Sequence, residues 1–464
     1  MNGSPGPLTR AATGTAAPPI AAVHLGLGAF FRAHQAAYTA LAPDAEAWGF
    51  AAFTGRSATL AEQLGRQDGL YTLLQRAAKG DEASVVGSVA RAHAGGDADA
   101  WTSTVADPGV RLMTLTVTES AYRRDPAGGL DLAAEDVRAD LADLRRDPPR
   151  AGRSVPGRLV AGLAARARAG GGALAIVPCD NLPDNGQVVR RILLDLAAEA
   201  AASGGDRELP DWISANVSFV STEVDRITPR TTPADIEAVR LITGRDDACP
   251  VVTEPFTEWT LAGDFPAGRP AWEAAGARFV DDVRPYETRK LSLLNGAHSL
   301  LAYAASAVGH TTVAEAVADP RCLAWVEAWW GEATAHLSLP AEALDAYRAA
   351  LSERFANPAI QHRLAQIAMD GSQKLPVRTV PTVLAERAAG RSAAAGARTL
   401  GAWVAHLRGV GVPVHDPRAE ELTALAAAPL TDAVPRVLAT LDPRLADDQH
   451  LVALATAHTK ELSR

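Results

Sequence analysis

The segment VHLGLGAFFRAHQAAY, residues 23–38, decides the fold class of this chain. A short apolar run leads into Gly26-Leu27-Gly28, and a helical pattern follows. In a dinucleotide-binding turn the first glycine permits a tight bend, the second lets a pyrophosphate approach the backbone, and the helix N-terminus supplies partial positive charge. The third glycine of the GxGxxG pattern is replaced by Phe31, and a bare GxG also occurs in ordinary strand-to-helix turns. The segment predicts nucleotide binding, with these candidate contacts: Gly26, Gly28, Phe30 and Arg32.

The chain on either side of this segment indicates two domains. From about residue 20 to residue 260, short apolar β-type runs alternate with amphipathic helical patterns, which is typical of a mostly parallel α/β sheet. From about residue 285, long Ala/Leu-rich helical segments dominate. The strands predicted from the apolar runs are 21–25, 48–53, 111–117, 173–178 and 216–220. The domains predicted are a flexible Gly/Pro/Ala/Thr-rich tail (1–19), a Rossmann-type α/β domain (20–284) and a mostly α-helical domain (285–464).

Bulk composition excludes several classes of protein. At 464 residues the chain exceeds one comfortable hydrophobic core. A net charge of −9 leaves no basic stripe for nucleic acid, and no run of about 18 apolar residues predicts a membrane span. The three cysteines lie far apart and suggest neither a disulfide framework nor a zinc site. We therefore expect a cytoplasmic monomer or small homo-oligomer that acts on a small molecule.

The exit of the second predicted strand bears on the choice of dinucleotide. An acidic residue at this point favours NAD, whereas an arginine accommodates the extra phosphate of NADP. Here the strand leads into Thr54-Gly55-Arg56-Ser57, and the first acid is Glu62. Arg56 is therefore a candidate cofactor contact, unless it is simply a solvated loop residue. The expected cofactor is NAD or NADP.

A rare lysine points to the chemistry. The segment KLSLLNGAHSL begins at Lys290, in a chain with 41 arginines and only four lysines, and Asn295 is one of six asparagines. Pro285 marks a helix start, so the segment is predicted to be helical. At about 100° per residue, several leucines share an arc of roughly 140° with four polar residues, which predicts that this side is buried. The four polar residues are Glu287, Lys290, Asn295 and His298.

Burial would suit such a lysine to proton transfer. Desolvation lowers the pKa of a buried lysine, so that it takes or gives a proton near neutral pH, whereas an arginine stays charged. The alternative is an arginine-like lysine that pairs with Glu287 at the start of the helix.

Two further segments end predicted strands, where ligands bind in open α/β sheets. In PCDNLPDNG the amide of Asn181 is a candidate contact for a substrate oxygen, whereas Asn185-Gly186 is better explained as a turn. In STEVDRITP, Asp225 and Arg226 follow the strand predicted at 216–220 and are expected at the same edge of the sheet. A later segment, AMDGSQKLPVR, places Lys374 in a predicted exposed loop.

Taken together, these motifs resemble the mannitol dehydrogenase family, the polyol-specific long-chain dehydrogenases. VHLGLGAFFRAHQAAY, CDNLPDNG, EVDRITP, EPFTEW, KLSLLNGAHS and DGSQKLP occur in the family's order and at similar spacing. The resemblance runs from about residue 21 to near the end of the chain. It implies a metal-independent hydride transfer between a secondary alcohol and C4 of a nicotinamide, on a Rossmann domain followed by a mostly helical domain.

The resemblance also implies residue roles. Lys290 matches the general base, and Asn181 and Asn295 match the amides that hold the reacting oxygen. His298 matches a residue that binds a neighbouring hydroxyl, and Glu287 matches an acid that relays protons to solvent. Asp225 and Lys374 match residues that line the substrate pocket, and Arg226, next to Asp225 in the sequence, is a further candidate substrate contact.

One departure concerns the substrate. Gln366 stands where mannitol dehydrogenases can carry an arginine, and QIAMDGSQKLP is more similar to the fructuronate reductase and arabinitol dehydrogenase branches. The expected reaction interconverts a polyol or aldonate with its ketose or hexuronate. Mannonate/fructuronate and mannitol/fructose are the candidate pairs, with an arabinitol-type pair as an alternative. A lyase or aldolase that uses Lys290 as a Schiff-base nucleophile is an alternative of another class, and a dinucleotide sensor without turnover is a third.

Overall fold

A computed structural model describes residues 6–146, 149 and 152–463, and the chain divides into two units, residues 1–284 and 285–464. The strands of the first unit are β1 (Gly6–Pro7), β2 (Ile20–Leu25), β3 (Gly49–Phe53), β4 (Tyr71–Ala77), β5 (Gly80–Val86), β6 (Val89–His93), β7 (Leu112–Leu115), β8 (Leu174–Pro178), β9 (Val217–Phe219), β10 (Ser221–Asp225), β11 (Arg245–Asp246), β12 (Val251–Thr253), β13 (Glu258–Ala262) and β14 (Arg278–Phe279). Its α-helices are α1 (Arg10–Thr13), α2 (Ala29–Ala33), α3 (Gln35–Leu41), α4 (Thr59–Arg66), α5 (Ala98–Ala106), α6 (Glu135–Leu144), α7 (Val155–Ala169), α8 (Asn185–Ala202), α9 (Leu209–Asn216) and α10 (Pro233–Thr243), and short 3-10 helices span Ala45–Ala47, Glu119–Tyr122 and Trp272–Ala275.

Six parallel strands form the main sheet, in the order β6-β3-β2-β7-β8-β9. Numbered within this sheet, the order is 3-2-1-4-5-6, that of a Rossmann fold, and it reverses between β2 and β7. Both faces of such a sheet are covered, so its strands read as continuous apolar runs. Val23 and Leu25 of β2 pack into the core on one face, and Ala22 packs into the core on the other. The predicted strands are found, each within one or two residues of its predicted ends.

Two smaller sheets accompany the main one. Strands β12, β4 and β5 form one, and β10, β13 and β14 form the other. Val220 separates β9 from β10, which pairs with β13 in antiparallel register. Asp225 therefore ends a strand of the second sheet, and does not directly follow a main-sheet strand as predicted.

The N-terminal segment differs from the predicted flexible tail. Strand β1 pairs with β11, Thr9 caps α1, and Leu8 is completely buried. The Arg10 guanidinium donates to the carbonyls of Gly87 and Val89, at 2.7 and 3.1 Å. These contacts order the segment from residue 6, whereas residues 1–5 lie outside the described part of the chain.

The second unit is helical: its described residues contain no strand, only the isolated bridge between Thr312 and Arg363. Helix α19 (Ala394–Leu407) is buried on nearly all sides, and at its Gly401 an added Cβ would lie 2.5 Å from the Ala455 carbonyl of α23 (Gln449–Leu462). The predicted fold class is confirmed. Its α-helices are α11 (Arg284–Arg289, which begins one residue before the division), α12 (Gly296–Leu300), α13 (Val313–Ala318), α14 (Pro320–Thr334), α15 (Ala341–Phe355), α16 (Leu364–Ile367), α17 (Gly371–Arg378), α18 (Val380–Ala388), α19 (Ala394–Leu407), α20 (Ala419–Ala426), α21 (Leu430–Ala439), α22 (Pro443–Asp447) and α23 (Gln449–Leu462).

Among the residues that the structure describes, none of the helices combines the length and the apolarity needed to cross a bilayer.

Candidate functional site

The GxG turn lies where the strand order of the main sheet reverses. Gly26 has a φ of +107°, and an added Cβ would lie 2.1 Å from the carbonyl oxygen of Thr116, just past β7. The amides of Gly26 and Leu27 donate to the Phe53 carbonyl at 3.0 and 2.8 Å, and the Thr116 hydroxyl donates to the Gly26 carbonyl at 2.8 Å. Only glycine fits this turn, which is held by the strands on both sides of it.

Phe31 explains the missing third glycine. Its ring stacks on His24 of β2, with centroids 3.6 Å apart, so an aromatic pair separates α2 from the strand. A third glycine serves close packing of helix on strand, which this pair replaces. His24 hydrogen-bonds Thr114 and Thr116 at 2.7 and 3.0 Å, and burial lowers its pKa to about 3. His24 is therefore a neutral packing residue.

The other predicted cofactor contacts differ in exposure. Arg32 is buried, and its guanidinium donates to the carbonyls of Gly28 (3.2 Å) and Cys249. It therefore braces the turn from within. Phe30 is half-buried and stacks on His34, whereas Arg56 is exposed in the loop after β3.

The turn fits a dinucleotide. At Gly28, which caps α2, an added Cβ would meet nothing closer than the Gly26 carbonyl, at 3.5 Å, so the backbone is open to a pyrophosphate.

The loop after β8 carries Asn181, which is exposed. Its neighbour Asp180 is buried and anchors the loop: the Tyr122 hydroxyl donates to one carboxylate oxygen at 2.5 Å and the Leu182 amide to the other at 2.9 Å. Burial raises the pKa of Asp180. Tyr122, the last residue of a short 3-10 helix (Glu119–Tyr122) after β7, therefore ties that helix to the loop that carries Asn181.

The sequence predicted a turn at Asn185, but the structure shows that Asn185 is the first residue of α8. Its side chain is completely buried, accepts from the Thr222 amide at 2.8 Å and donates to the Thr222 carbonyl at 3.1 Å. The prediction failed because these partners lie 37 residues away. Asp184, with a φ of 51°, makes the bend instead.

Asp225 and Arg226 are both buried. The Arg226 guanidinium donates to the carbonyls of Ala33 and Glu254, the latter at 3.1 Å, and burial lowers its pKa to about 10. These contacts make Arg226 a tie within the first unit, so its predicted contact with substrate stays a prediction.

The lysine segment is helical but not a regular α-helix. After α11 the backbone forms a π-helical turn over Lys290–Asn295, returns to α over α12, and forms a second π turn over Leu301–Ala305. Such turns are rare and often mark functional sites. The angle calculated for a regular helix therefore does not hold across this segment.

Two tryptophans of α14 support the first π turn. The indole N–H groups of Trp329 and Trp330 donate to the carbonyls of Ser292 and Leu293, at 2.8 and 2.9 Å. An added Cβ at Gly296 would lie 2.6 Å from the Trp329 ring, so this glycine lets α14 approach. The position of the lysine segment is thus fixed by residues more than 30 positions away.

The predicted polar side is only partly buried. Glu287, Lys290 and Asn295 are half-buried, whereas His298 is 6% exposed. Lys290 is therefore less buried than its sequence context predicted.

His298 lies in an aromatic and cationic environment. Its ring stacks on Phe355 with centroids 4.9 Å apart, and the His362 ring meets it edge-on at 4.7 Å. Burial first, and then His362, Arg354 and Arg378, hold the pKa of His298 well below its usual value. The imidazole is neutral at physiological pH and suits hydrogen bonding to a hydroxyl.

Lys374 lies in α17 and not in an exposed loop, so that prediction is wrong. Asp370, with a φ of 60°, provides the bend before the helix. Lys374 is half-buried, its ammonium donates to the Ile367 carbonyl at 3.4 Å, and burial lowers its pKa. Gln366 is exposed on the short helix α16.

Comparison with protein families covers nearly the whole chain. The model of the mannitol dehydrogenase Rossmann domain matches residues 20–274, and that of the mannitol dehydrogenase C-terminal domain matches residues 282–463. The chain belongs to the mannitol dehydrogenase family. The resemblance noted in the sequence is confirmed, and the protein is an NAD(P)-linked oxidoreductase of this family.

Individual relatives have different substrates in their names. D-mannonate oxidoreductase of Escherichia coli K12 is 38% identical over 401 residues, which cover 84% of this chain and 80% of that protein. Mannitol 2-dehydrogenase of Pyrenophora tritici-repentis is 36% identical over 422 residues, 87% and 73% of the two chains. The solved ternary complex of Pseudomonas fluorescens mannitol 2-dehydrogenase with NAD and D-mannitol is 35% identical, has a TM-score of 0.78, and covers 96% of this chain and 92% of that one.

One cluster outside the family motifs has the composition of a metal site. Candidate ligand atoms of His310, Asp319 and Cys322 lie within 4.8 Å of one another. Asp319 caps α14, however, and its carboxylate accepts from His310 at 3.1 Å and from the Arg321 guanidinium at 3.2 Å. With a guanidinium on the carboxylate, we assign the cluster to helix capping.

Reasoning from the sequence missed several residues that shape the family's motifs. Trp329, Trp330, Tyr122 and His362 act through contacts distant in sequence, and no local signal marks them. Arg378 is different, since it stands four residues after Lys374 and would have drawn notice had α17 been predicted as a helix.

Proposed function

We propose that this protein transfers a hydride between a nicotinamide and a secondary alcohol of a sugar alcohol or aldonate. The pairs D-mannonate/D-fructuronate and D-mannitol/D-fructose are the leading candidates, and relatives bearing the names D-mannonate oxidoreductase and mannitol 2-dehydrogenase support both.

The observation that carries this proposal is the helical segment from Arg284 to Ala305. It carries a lysine, an amide and a neutral imidazole on successive turns, and two indole donors hold its backbone. A base, an oxygen ligand and a hydroxyl ligand are the groups that alcohol oxidation requires.

In oxidation, Lys290 takes the hydroxyl proton as the carbinol carbon loses hydride. Asn295 donates from its amide to the reacting oxygen and so stabilises developing alkoxide charge. Neutral His298 hydrogen-bonds a neighbouring hydroxyl, and Glu287, one turn before the lysine, passes the proton to solvent. The same assignment gives Asn181 an amide contact with the reacting oxygen and places Asp225 and Lys374 against the substrate.

A bound nicotinamide supplies the acceptor for the hydride. Gly26 and Gly28 would hold its pyrophosphate against the backbone, with Phe30 beside the turn and Arg32 bracing it. Exposed Arg56, at the exit of β3, suits an adenosine ribose that carries an additional phosphate. We expect Arg56→Asp to lower the NADPH-to-NADH ratio of kcat/KM about tenfold, since it replaces an attraction with a repulsion. An unchanged ratio would remove Arg56 from the cofactor site.

The decisive test is the rate of reduction of D-fructuronate and of D-fructose, each with NADH and with NADPH. A measurable rate of reduction of either compound supports the proposal. The compound that is reduced faster is then the better substrate. If neither is reduced, D-xylulose tests the arabinitol-type alternative. Covalent trapping of substrate on Lys290 by borohydride, without any oxidation of NADH, would contradict the proposal and favour a Schiff-base enzyme.

A further inference from the structure

Helix α17 presents two cationic side chains on one face. Lys374 and Arg378 are four residues apart, which places them side by side on a helix. The start of α17 is fixed against the segment that carries His298, because an added Cβ at Gly371 would lie 2.6 Å from the Tyr303 hydroxyl. The Tyr303 hydroxyl also donates to the Ala368 carbonyl at 3.0 Å. The two cations are therefore held on a rigid element.

Neither cation forms an ion pair with an acid among the described residues, although Asp370 and Asp416 lie within electrostatic reach of Lys374. Arg378 makes no hydrogen bond or ion pair with any described residue, and Lys374 makes only the 3.4 Å hydrogen bond to a carbonyl. Elsewhere in this unit, arginines on helices bind carboxylates, as Arg387 binds Asp448 at 2.6 Å. Like charges four residues apart repel, and a guanidinium withdrawn from water needs compensation. The arrangement costs stability in the absence of an anion.

The positive field reaches the residue assigned to a substrate hydroxyl. Arg354 and Arg378 both lower the pKa of His298, and Arg378 also lowers that of Lys374. Arg378 therefore lies within electrostatic reach of both residues. A negative charge on the substrate would be stabilised there, whereas a neutral polyol gains nothing from the same field.

We propose that Arg378, with Lys374 beside it, is a carboxylate-binding subsite, so that the substrate is an aldonate or its keto acid. This inference rests on the proposed function and narrows it. The planar guanidinium fork matches a carboxylate in two-point contact. With 41 arginines in the chain, the sequence alone does not single out Arg378 as the arginine that would bind a carboxylate.

Binding is measured apart from turnover. D-mannonate and D-mannitol are titrated calorimetrically into protein saturated with NADH. Because the ligand and the cofactor are then both in their reduced forms, no hydride transfer takes place. We expect Arg378→Gln to weaken D-mannonate binding about 30- to 100-fold, the usual loss for a hydrogen-bonded charge, and to change D-mannitol binding less than about threefold. Arg378→Lys restores part of the affinity, since it keeps the charge. The control Arg436→Gln removes a cation from an exposed position of α21 and leaves both affinities unchanged.

Three results of these titrations would overturn the inference. Equal weakening of D-mannonate and D-mannitol makes Arg378 a structural residue, and unchanged D-mannonate affinity removes it from the site. Tighter binding of D-mannitol 1-phosphate than of D-mannonate to the same NADH-saturated protein makes the subsite a phosphate site. If Arg378→Gln does not fold, Lys374→Gln decides by the same comparison. Failure to reduce any ketose contradicts the proposed function, whereas the D-mannonate titration still decides whether the cations bind a carboxylate.

Discussion

The GxG turn and the lysine helix build their sites by opposite means. At the turn we assign cofactor binding to the backbone: Gly26 contributes no side chain, and the guanidinium of the nearby Arg32 donates to buried carbonyls. In the helix Arg284–Ala305 we assign the chemistry to side chains, and the backbone that carries them departs from α geometry. A backbone site tolerates change in its surrounding side chains but not in its glycine. A side-chain site depends on whatever holds its distorted backbone in place.

The largest effect that separates the side-chain site from the backbone site is expected at Lys290. We expect Lys290→Ala to lower kcat by roughly 10²- to 10⁴-fold, the usual contribution of a general base, while the Kd for NADH changes little because that site is backbone. Steady-state kinetics and NADH titration measure the two quantities. Lys460→Ala, at an exposed position of the last helix, is the matched control and keeps wild-type kcat. Near-normal turnover of Lys290→Ala would contradict the assigned role.

The complementary test changes the backbone site. Gly26→Ala combines a positive φ with a Cβ placed 2.1 Å from a carbonyl oxygen, so we expect a loss of about 3 kcal/mol or more in the free energy of unfolding of the first unit. Gly28→Ala has room for its methyl group and should fold normally, yet bind NADH more weakly because the pyrophosphate loses its approach. Thermal melts and NADH titration separate the two effects. Equal melting temperatures for the two variants would contradict the steric argument.

These two regions also differ in how far the sequence predicts them. Apolar runs located the sheet strands, and glycine spacing located the turn, because both signals are local. The π turn at Lys290 depends on Trp329 and Trp330, and α17 depends on the fit of Gly371 against Tyr303. No pattern within either segment records such partners. For this reason the prediction that Lys290 is buried and the prediction that Lys374 lies in an exposed loop were both wrong.

A smaller effect is expected where the π turn is supported. Trp329→Phe keeps most of the ring but leaves the Ser292 carbonyl without its indole donor, which costs about 1–3 kcal/mol. Because Ser292 lies between Lys290 and Asn295, we expect kcat to fall about tenfold with little change in the KM for NADH. Trp325→Phe, one turn earlier on α14, is the control and should keep kcat. Equal losses in the two variants would show that the tryptophans serve packing alone.

The smallest expected effect concerns the histidine that each region buries. Burial lowers the pKa of His24 to about 3 and holds that of His298 well below its usual value, so both stay neutral in the folded protein. In the unfolded chain each takes up a proton near pH 6.5. Above pH 6.5 neither state is protonated and the histidines cost no stability. As the pH falls from 6.5 towards the lower pKa of the folded state, only the unfolded chain gains protons, so the free energy of unfolding decreases. By linkage each histidine should cost about 1 kcal/mol between pH 6.5 and pH 5.5.

Replacing either histidine should flatten this dependence, whatever it does to stability at neutral pH. We expect His24→Asn and His298→Asn each to reduce the slope of unfolding free energy against pH below 6.5. Denaturant unfolding at a series of pH values measures the slope directly. A flattened slope for His24→Asn alone would mean that His298 takes up a proton in the folded protein. The side-chain site would then change its charge with pH while the backbone site does not, and the neutral hydroxyl ligand assigned to His298 would be wrong.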